Sequence, residues 1–312
     1  MTKILMTQTA CKFGKILTAF LILTILSFPA LCAAEDVEGE ATATLVVTKE
    51  FSRPPLVEKR FTADGRPCME VLRSCARVET AYGGSFVLSI NGISGTSNAG
   101  AWFYYVNGIM ADVGADRHTP RAGDFIQWDF HPWRTTAWIA AIVGSYPQPF
   151  LSGGCRMFHS PGMSEPSARL AGRLRGLGVD GVVLRELAGT KPPGPGPPAI
   201  IVGSREELEK VGWVKDILNG GRRAGLFIDF GKTGMNVFNV EGQRVKTLAD
   251  AGALVAMKRG YGAPAWSLWL VTGTDDESVL RVLELLLDRP GEMAFLSGAL
   301  VTEDGVKNVP LP

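Results

Sequence analysis

The chain has 312 residues, enough for about two domains on ordinary domain sizes. It is 46% hydrophobic and 20% charged, a globular composition able to bury a core rather than a disordered or fibrous one. A net charge of +1 gives no electrostatic footprint for nucleic acid or an anionic membrane surface, so nucleic acid is not an expected partner.

Residues 1–34 read as a secretory signal peptide. Lys3, Lys12 and Lys15 precede the apolar run Ile16 to Phe28, and Pro29-Ala30-Leu31-Cys32-Ala33-Ala34 ends in small residues. Cleavage after Ala34 is the expectation, giving an exported protein that is extracellular, periplasmic or held at the cell surface. The apolar run is short for a span of about 20 residues. An uncleaved anchor and a lipid anchor on Cys32 stay open as alternatives, although Leu31 stands where a lipid-attachment site wants a small residue.

Glu35 to Glu40 is a short acidic leader. Ala43 to Thr48 reads as a strand, and the prolines of Arg53-Pro54-Pro55 bar a central strand there. Pro67 suits the first turn of a helix from Cys68 to Ala76, with Met69, Leu72 and Val78 as its apolar residues. Phe86 to Ile90 alternates as a strand closed by Asn91-Gly92. Ala101 to Val106, AWFYYV, is a second strand, turned by Asn107-Gly108, and Phe125 to Phe130 is a third.

The ordered set Ile90-Asn91-Gly92, Trp102 with Tyr104-Tyr105-Val106-Asn107-Gly108, then Gly123-Asp124 with Ile126 and Trp128 resembles the transcobalamin C-terminal-like domain of bacterial surface and exported proteins. The resemblance spans residues 41–134. It implies a small aromatic-rich β-sheet with one short helix, used in the vertebrate carriers as one wall of a corrinoid site.

Residues 135–153 read as a connection. From 154 to 312 strands and helices alternate, which argues an α/β layered domain with a mainly parallel sheet. The strands are Cys155–His159, Gly181–Leu184, Ala199–Gly203, Gly225–Phe230 with Met235–Val240, and Trp266–Val271. Helices are expected after Ser164 (Leu170, Leu174, Leu177 on one face), after a Ser204/Glu207 capping box, over Leu248–Met257, and over Val279–Leu287 after a Thr274/Glu277 box. Lys191 to Pro198 is a Pro/Gly spacer. The strand ends Ile201-Val202-Gly203 and Val271-Thr272-Gly273 give this half a likeness to α/β domains of bacterial envelope proteins. The expected fold is thus an α+β amino-terminal module followed by an α/β domain.

Three cysteines follow the leader. Cys68 and Cys75 lie seven apart on one helix, about 10.5 Å along its axis, too far for a disulfide between them. Either one of them bridges to Cys155 or all are buried thiols. No Cys/His spacing suggests zinc. No nucleophile elbow or phosphate loop is present, and Gly231-Lys232-Thr233 lacks the upstream glycine of one. His118, His131 and His159 read as surface or capping residues. Asp275-Asp276 either serves a ligand at a strand's carboxyl end or complements a helix dipole.

The sequence therefore points to a non-enzymatic binding protein with no required cofactor. Candidate ligand contacts are Trp102, Tyr104 and Trp128 as an apolar wall, with Asn98, Asn107 and Gly108 in the flanking loops. Alternation lets Trp102 and Tyr104 face outward, and equally lets them face inward. The ligand implied by the resemblance is a corrinoid such as cobalamin, with another small molecule as an alternative, and the expected receiving partner is an envelope protein or uptake system. The alternatives are a surface interaction or scaffold protein for a protein or glycan partner, and, last, an extracellular hydrolase on the α/β domain.

Overall fold

A computed structural model describes residues 41–95, 100–132, 139–262 and 265–312. The leader (1–34), Asn98 and the start of the connection (135–138) lie outside the described residues. In chain order the amino-terminal elements are β1 (Thr42–Lys49), β2 (Val57–Thr62), α1 (Cys68–Cys75), β3 (Val78–Ala81), β4 (Phe86–Ile90), β5 (Ile93–Ser94), β6 (Ala101–Val106), β7 (Ile109–Met110) and β8 (Phe125–His131). They form a five-stranded sheet, β2-β1-β8-β6-β7, and a three-stranded sheet, β3-β4-β5. β1 runs parallel to β8, while β6 is antiparallel to it, with Trp102 opposite Phe130 and Tyr104 opposite Trp128.

Both expected Asn-Gly turns form. Asn91 and Gly92 have φ of 51° and 84°, and Asn107 and Gly108 have 51° and 78°, the left-handed pairs that a tight hairpin requires. Val78 leaves the helix and opens β3, because Ala76 is already extended. β2, over Val57–Thr62, pairs antiparallel with β1 as an edge strand, and its charged side chains suit that position.

Beyond the connection come α2 (Phe150–Gly153), β9 (Cys155–His159), α3 (Ser164–Gly176), β10 (Val182–Glu186), β11 (Ala199–Ser204), α4 (Arg205–Glu209), α5 (Gly212–Gly220), β12 (Ile228–Gly231), β13 (Gly234–Phe238), β14 (Arg244–Leu248), β15 (Gly252–Arg259), β16 (Trp266–Gly273), α6 (Asp276–Asp288), β17 (Ala299–Thr302) and β18 (Gly305–Asn308). The seven-stranded sheet has the order β10-β9-β11-β16-β15-β17-β18. Its first four strands are parallel; β15, β17 and β18 extend it antiparallel. β12, β13 and β14 form a separate antiparallel sheet.

The expected helix over Leu248–Met257 is instead the end of β14 and most of β15. Residues 252–257 are buried throughout, with Ala253, Val255 and Met257 in one core and Leu254 and Ala256 in the other. A short apolar run of this kind has no helical or strand period to read, so composition alone could not decide. Gly252 lets β15 approach α6 closely: a Cβ there would come within 2.4 Å of Ser278 O and Val282 Cγ2.

The expected caps also shift. Ser164 is the first helical residue of α3 rather than the cap before it, and Ser204 precedes α4 but makes no side-chain capping bond. Asp275, not Thr274, caps α6: its carboxylate accepts from Ser278 N at 2.8 Å. That hydrogen bond, ahead of the nearby Arg281 charge, holds the Asp275 carboxyl below its usual range. Asp275 therefore serves its helix.

The seven-stranded sheet separates two cores. On one face α3 and α6 pack through Leu170, Leu174, Val279, Val282 and Leu286 onto Met157, Ile200, Val202, Trp269 and Val271. On the other, α5 and the β12–β14 sheet meet Ile201, Leu268 and Leu270, and so do Phe51, Tyr105, Ile139 and Ile142. The amino-terminal module is therefore docked onto the sheet, and residues 40–312 form one unit. The described part of the connection is buried rather than a free linker. Gly144 N donates to Leu296 O at 2.9 Å and Phe295 N donates to Gly144 O at 3.1 Å. A Cβ on Gly144 would sit 2.4 Å from Phe295 C, so only glycine allows this backbone approach. The spacer 191–198 has no helix or strand, and Arg156 holds it through Gly194 O (2.9 Å) and Pro197 O (2.8 Å). Among the described residues no helix is long and apolar enough to cross a membrane.

Candidate functional site

The residues expected to form an aromatic wall fill the module's interior instead. Trp102, Tyr104, Trp128 and Phe130 lie in one core with Leu45, Met69, Leu72 and Ile90. Tyr104 stacks on Trp128 at 4.9 Å between centroids, and Trp102 meets Phe130 at 5.3 Å. Trp102 Nε1 donates to Ile93 O at 3.0 Å, and the Tyr104 hydroxyl donates to Val113 O. The outward orientation that alternation permitted is not taken, because both faces of β6 are covered: Trp102 and Tyr104 by α1 and β4, Tyr105 by the α/β domain.

The loop candidates have structural partners too. Asn107 Nδ2 donates to Asp124 Oδ1 and its Oδ1 accepts from Phe125 N, both at 2.8 Å. Gly108 abuts the connection, where a Cβ would lie 2.4 Å from Ser145 Oγ and 2.8 Å from Ile142 O. These residues hold the hairpin and its docking surface.

The opposite face of β8 carries the polar site. Along Phe125–His131, Ile126, Trp128 and Phe130 enter the module core, so Gln127, Asp129 and His131 point to the α/β side. On an isolated module they would face water, which is why His131 reads as a surface residue in the sequence. Docking buries them: Asp129 is 0% and His131 1% exposed.

The network is directional. Asp129 Oδ2 accepts from Thr48 Oγ1 at 2.6 Å and from Phe51 N at 2.8 Å, and Oδ1 lies 2.9 Å from His131 Nδ1. Since a carboxylate only accepts, Nδ1 carries the proton, and a neutral ring then keeps its lone pair on Nε2. Gln127 Nε2 donates to Thr48 Oγ1 (3.1 Å) and to Phe295 O (2.9 Å) across the docking surface. His131 sits between Phe103 (4.7 Å) and Phe51 (5.3 Å). Burial, then the Asp129 charge, pushes the neighbouring Tyr105 phenol well above its ordinary pKa.

Glu50 and Phe51 both have φ of 53°, a left-handed pair without glycine. Such residues store strain of about 1–3 kcal/mol each and persist where the surroundings impose them. Here Asp129 holds the Phe51 N–H and places that ring against His131.

Two buried polar atoms in this network have no hydrogen-bond partner: His131 Nε2 and Gln127 Oε1. His131 lines a cleft of about 820 Å³ between the modules. The β1–β2 turn (Lys49 to Arg53), Ile139, Val240-Glu241, Leu296 and the carboxy-terminal residues Pro310 to Pro312 are among the other residues of its wall. His131 lines the cleft while Nε2 itself stays buried, so a hydrogen-bond donor that pairs with it must enter beside the ring. Among the described residues no group of three or more His, Cys, Asp or Glu is placed to hold a metal ion. Cys68, Cys75 and Cys155 are free. His118 is part-buried beside α1, with its pKa lowered by burial, and His159 Nδ1 lies 2.9 Å from Ser160 O.

Comparison with known proteins places part of the chain. Residues 65–132 match the family model described as a domain of unknown function (DUF4430), under a quarter of the chain. No curated protein matches. Among thirteen matching solved chains is one from Ruminococcus gnavus ATCC 29149, provisionally described as a metal-binding protein. It is 18% identical, covers 29% of this chain and 94% of its own, and has a TM-score of 0.24.

Proposed function

We propose that this chain is an exported, non-enzymatic binding protein whose ligand occupies the cleft between the amino-terminal module and the α/β domain. The observation that carries this reading is the His131 ring: it lines the cleft, is 1% exposed and held by Asp129, and its buried Nε2 has no partner. A buried acceptor without a donor costs about 1–3 kcal/mol, a cost that a ligand hydroxyl or amide N–H would remove. The cleft volume of about 820 Å³ lies in the usual range for small-molecule sites, roughly 300–1,000 Å³. Binding rather than chemistry is favoured because, among the described residues, no hydroxyl or thiol is hydrogen-bonded to Nε2 as a nucleophile would be.

The ligand class is a small molecule with apolar surface and a hydrogen-bond donor. A corrinoid such as cobalamin, implied by the module's resemblance to transcobalamin C-terminal-like domains, meets this through its peripheral amides. It would use the cleft, since Trp102, Tyr104 and Trp128 are committed to the core. An envelope uptake component would then be the receiving partner. Calorimetric titration of the full chain with cobalamin tests this: saturable binding that His131→Phe weakens by about tenfold supports it. Absence of binding at high micromolar ligand removes the corrinoid.

A second reading, a surface for a protein or glycan partner, is favoured by Phe86 (38% exposed) and Leu88 (45%) on β4, with Tyr82 (85%) in the β3–β4 turn against Phe86. Loss of partner capture in Tyr82→Ser/Leu88→Ser, with cobalamin binding absent, would favour that reading.

A further inference from the structure

The parallel half of the large sheet contains a change of direction. From β9 the chain passes through α3 to β10 on one side, then returns across β9 to place β11 on its other side. At such a point the loops leaving adjacent strand ends diverge, and a crevice opens outside the carboxyl ends of the strands. A cleft of about 480 Å³ lies there. Ser160 and Pro161 after β9, Leu187 to Thr190 after β10, and the α4–α5 corner after β11 line it.

Two independent features of this cleft lack partners. Ser160 is 2% exposed and its Oγ has no hydrogen-bond partner. Gly203 makes room for it, since a Cβ there would lie 3.1 Å from Ser160 Oγ. The second feature is the amino terminus of α5, whose Val211, Gly212 and Trp213 line the same cleft. Its cap position is Val211, no side chain caps it, and its first turn has no acidic residue. Val214 N and Lys215 N both donate to Val211 O at 2.9 Å, which leaves the N–H groups of Gly212 and Trp213 to open the helix at its positive dipole end. A buried, unpartnered hydroxyl on a residue that lines the cleft and an uncapped helix end in the same wall call for an anionic group.

The remaining wall decides what the anion is attached to. Leu187, Pro161 and Trp213 are apolar, and Trp213 is fixed by its Nε1 donating to Thr190 O at 3.1 Å. The rim charge Lys210 already pairs with Glu207 and Glu206. No arginine lines the cleft, so it lacks the planar fork typical of a dedicated phosphate clamp.

We propose that this cleft is a second ligand site, separate from the one at His131, for a small carboxylate with a flat apolar body. The carboxylate meets the α5 amino terminus and the Ser160 hydroxyl, and the body lies against Leu187 and Trp213. Neither group reacts; the step is binding alone.

The test uses the full chain with benzoate as probe, followed by ligand-observed saturation-transfer NMR, with benzamide and inorganic phosphate as comparators. Benzoate is expected to bind saturably in the millimolar range, at least tenfold more tightly than either comparator. Ser160→Ala should weaken it about tenfold. Val211→Asp, which places a competing carboxylate at the cap, should abolish it while leaving the melting temperature unchanged or higher. His131→Phe should leave it unchanged, so failure at one site is distinguishable from failure at the other. Benzoate binding no tighter than benzamide, or unaffected by both Ser160→Ala and Val211→Asp, would overturn the proposal. Preference for phosphate over benzoate would also overturn it.

Discussion

Truncating Asp129 to alanine removes the centre of the buried network: Phe51 N and His131 Nδ1 lose their acceptor, and Thr48 Oγ1 keeps only the longer contact to Trp128 O at 3.3 Å. Each stranded buried donor costs about 1–3 kcal/mol. The three share one small volume, so the costs do not add, and a total of about 3–5 kcal/mol is expected, the range for breaking a buried pair. For a unit of this size each kcal/mol lowers Tm by about 2–4 °C, so the melting temperature should fall by about 6–20 °C. Differential scanning calorimetry and urea unfolding on Asp129→Ala and Asp129→Asn measure it. Asparagine keeps one carbonyl oxygen for Thr48 and Phe51, so it should cost less than alanine. A loss below about 1 kcal/mol for alanine would mean that the carboxylate is hydrated, and the account of the site would fail.

Other consequences are open to direct measurement. Trp102→Ala should lower stability by about 3–5 kcal/mol in urea unfolding, as for a core aromatic; a change under about 1 kcal/mol would return Trp102 to the surface. Gly144→Ala should cost about 1–3 kcal/mol through overpacking against the Phe295 backbone. Gly172→Ala, in open space on α3, should instead stabilise by about 0.5–1 kcal/mol. With a thiol reagent at pH 8, half-buried Cys75 should react much faster than Cys68 or Cys155, two equal fast thiols contradicting their burial. Burial pushes the Cys68 thiol up to about 12 from its ordinary 9.0. A raised folded pKa means the native state holds its proton longer. This contribution is therefore full below about pH 9 and is lost as pH rises toward 12; Cys68→Ser should flatten that alkaline loss.

Local signals carried much of this fold into the sequence. The Asn91-Gly92 and Asn107-Gly108 pairs specified their turns because few residues accept positive φ, and the strand around Ile200 stood out by its continuous apolar run. Residues 252–257 were not legible, since a strand buried on both faces has no polar positions to set its period. β17 and β18 lie at the far edge of the sheet, and only the pairing of β17 with β15 and of β18 with β17 defines them.

The site was hidden for a related reason. Gln127, Asp129 and His131 alternate with apolar residues as an ordinary half-exposed strand would, and only the docking of the α/β domain turns that face into an interior. The one usable signal was composition: three different hydrogen-bonding side chains at alternate positions of β8. The aromatic candidates failed in the opposite way. Alternation places Trp102 and Tyr104 on a common face, but the helix covering that face, α1, comes from elsewhere in the chain.

The central claim is that the cleft at His131 receives a small ligand that donates a hydrogen bond to Nε2. It is tested most directly by the ¹⁵N resonance of His131 in the full chain, with and without cobalamin. The account predicts an Nδ1-protonated ring in the free protein and a saturable shift of the Nε2 resonance on titration, lost in Asp129→Asn. An Nε2-protonated ring in the free protein, or an Nε2 signal indifferent to ligand, would contradict it.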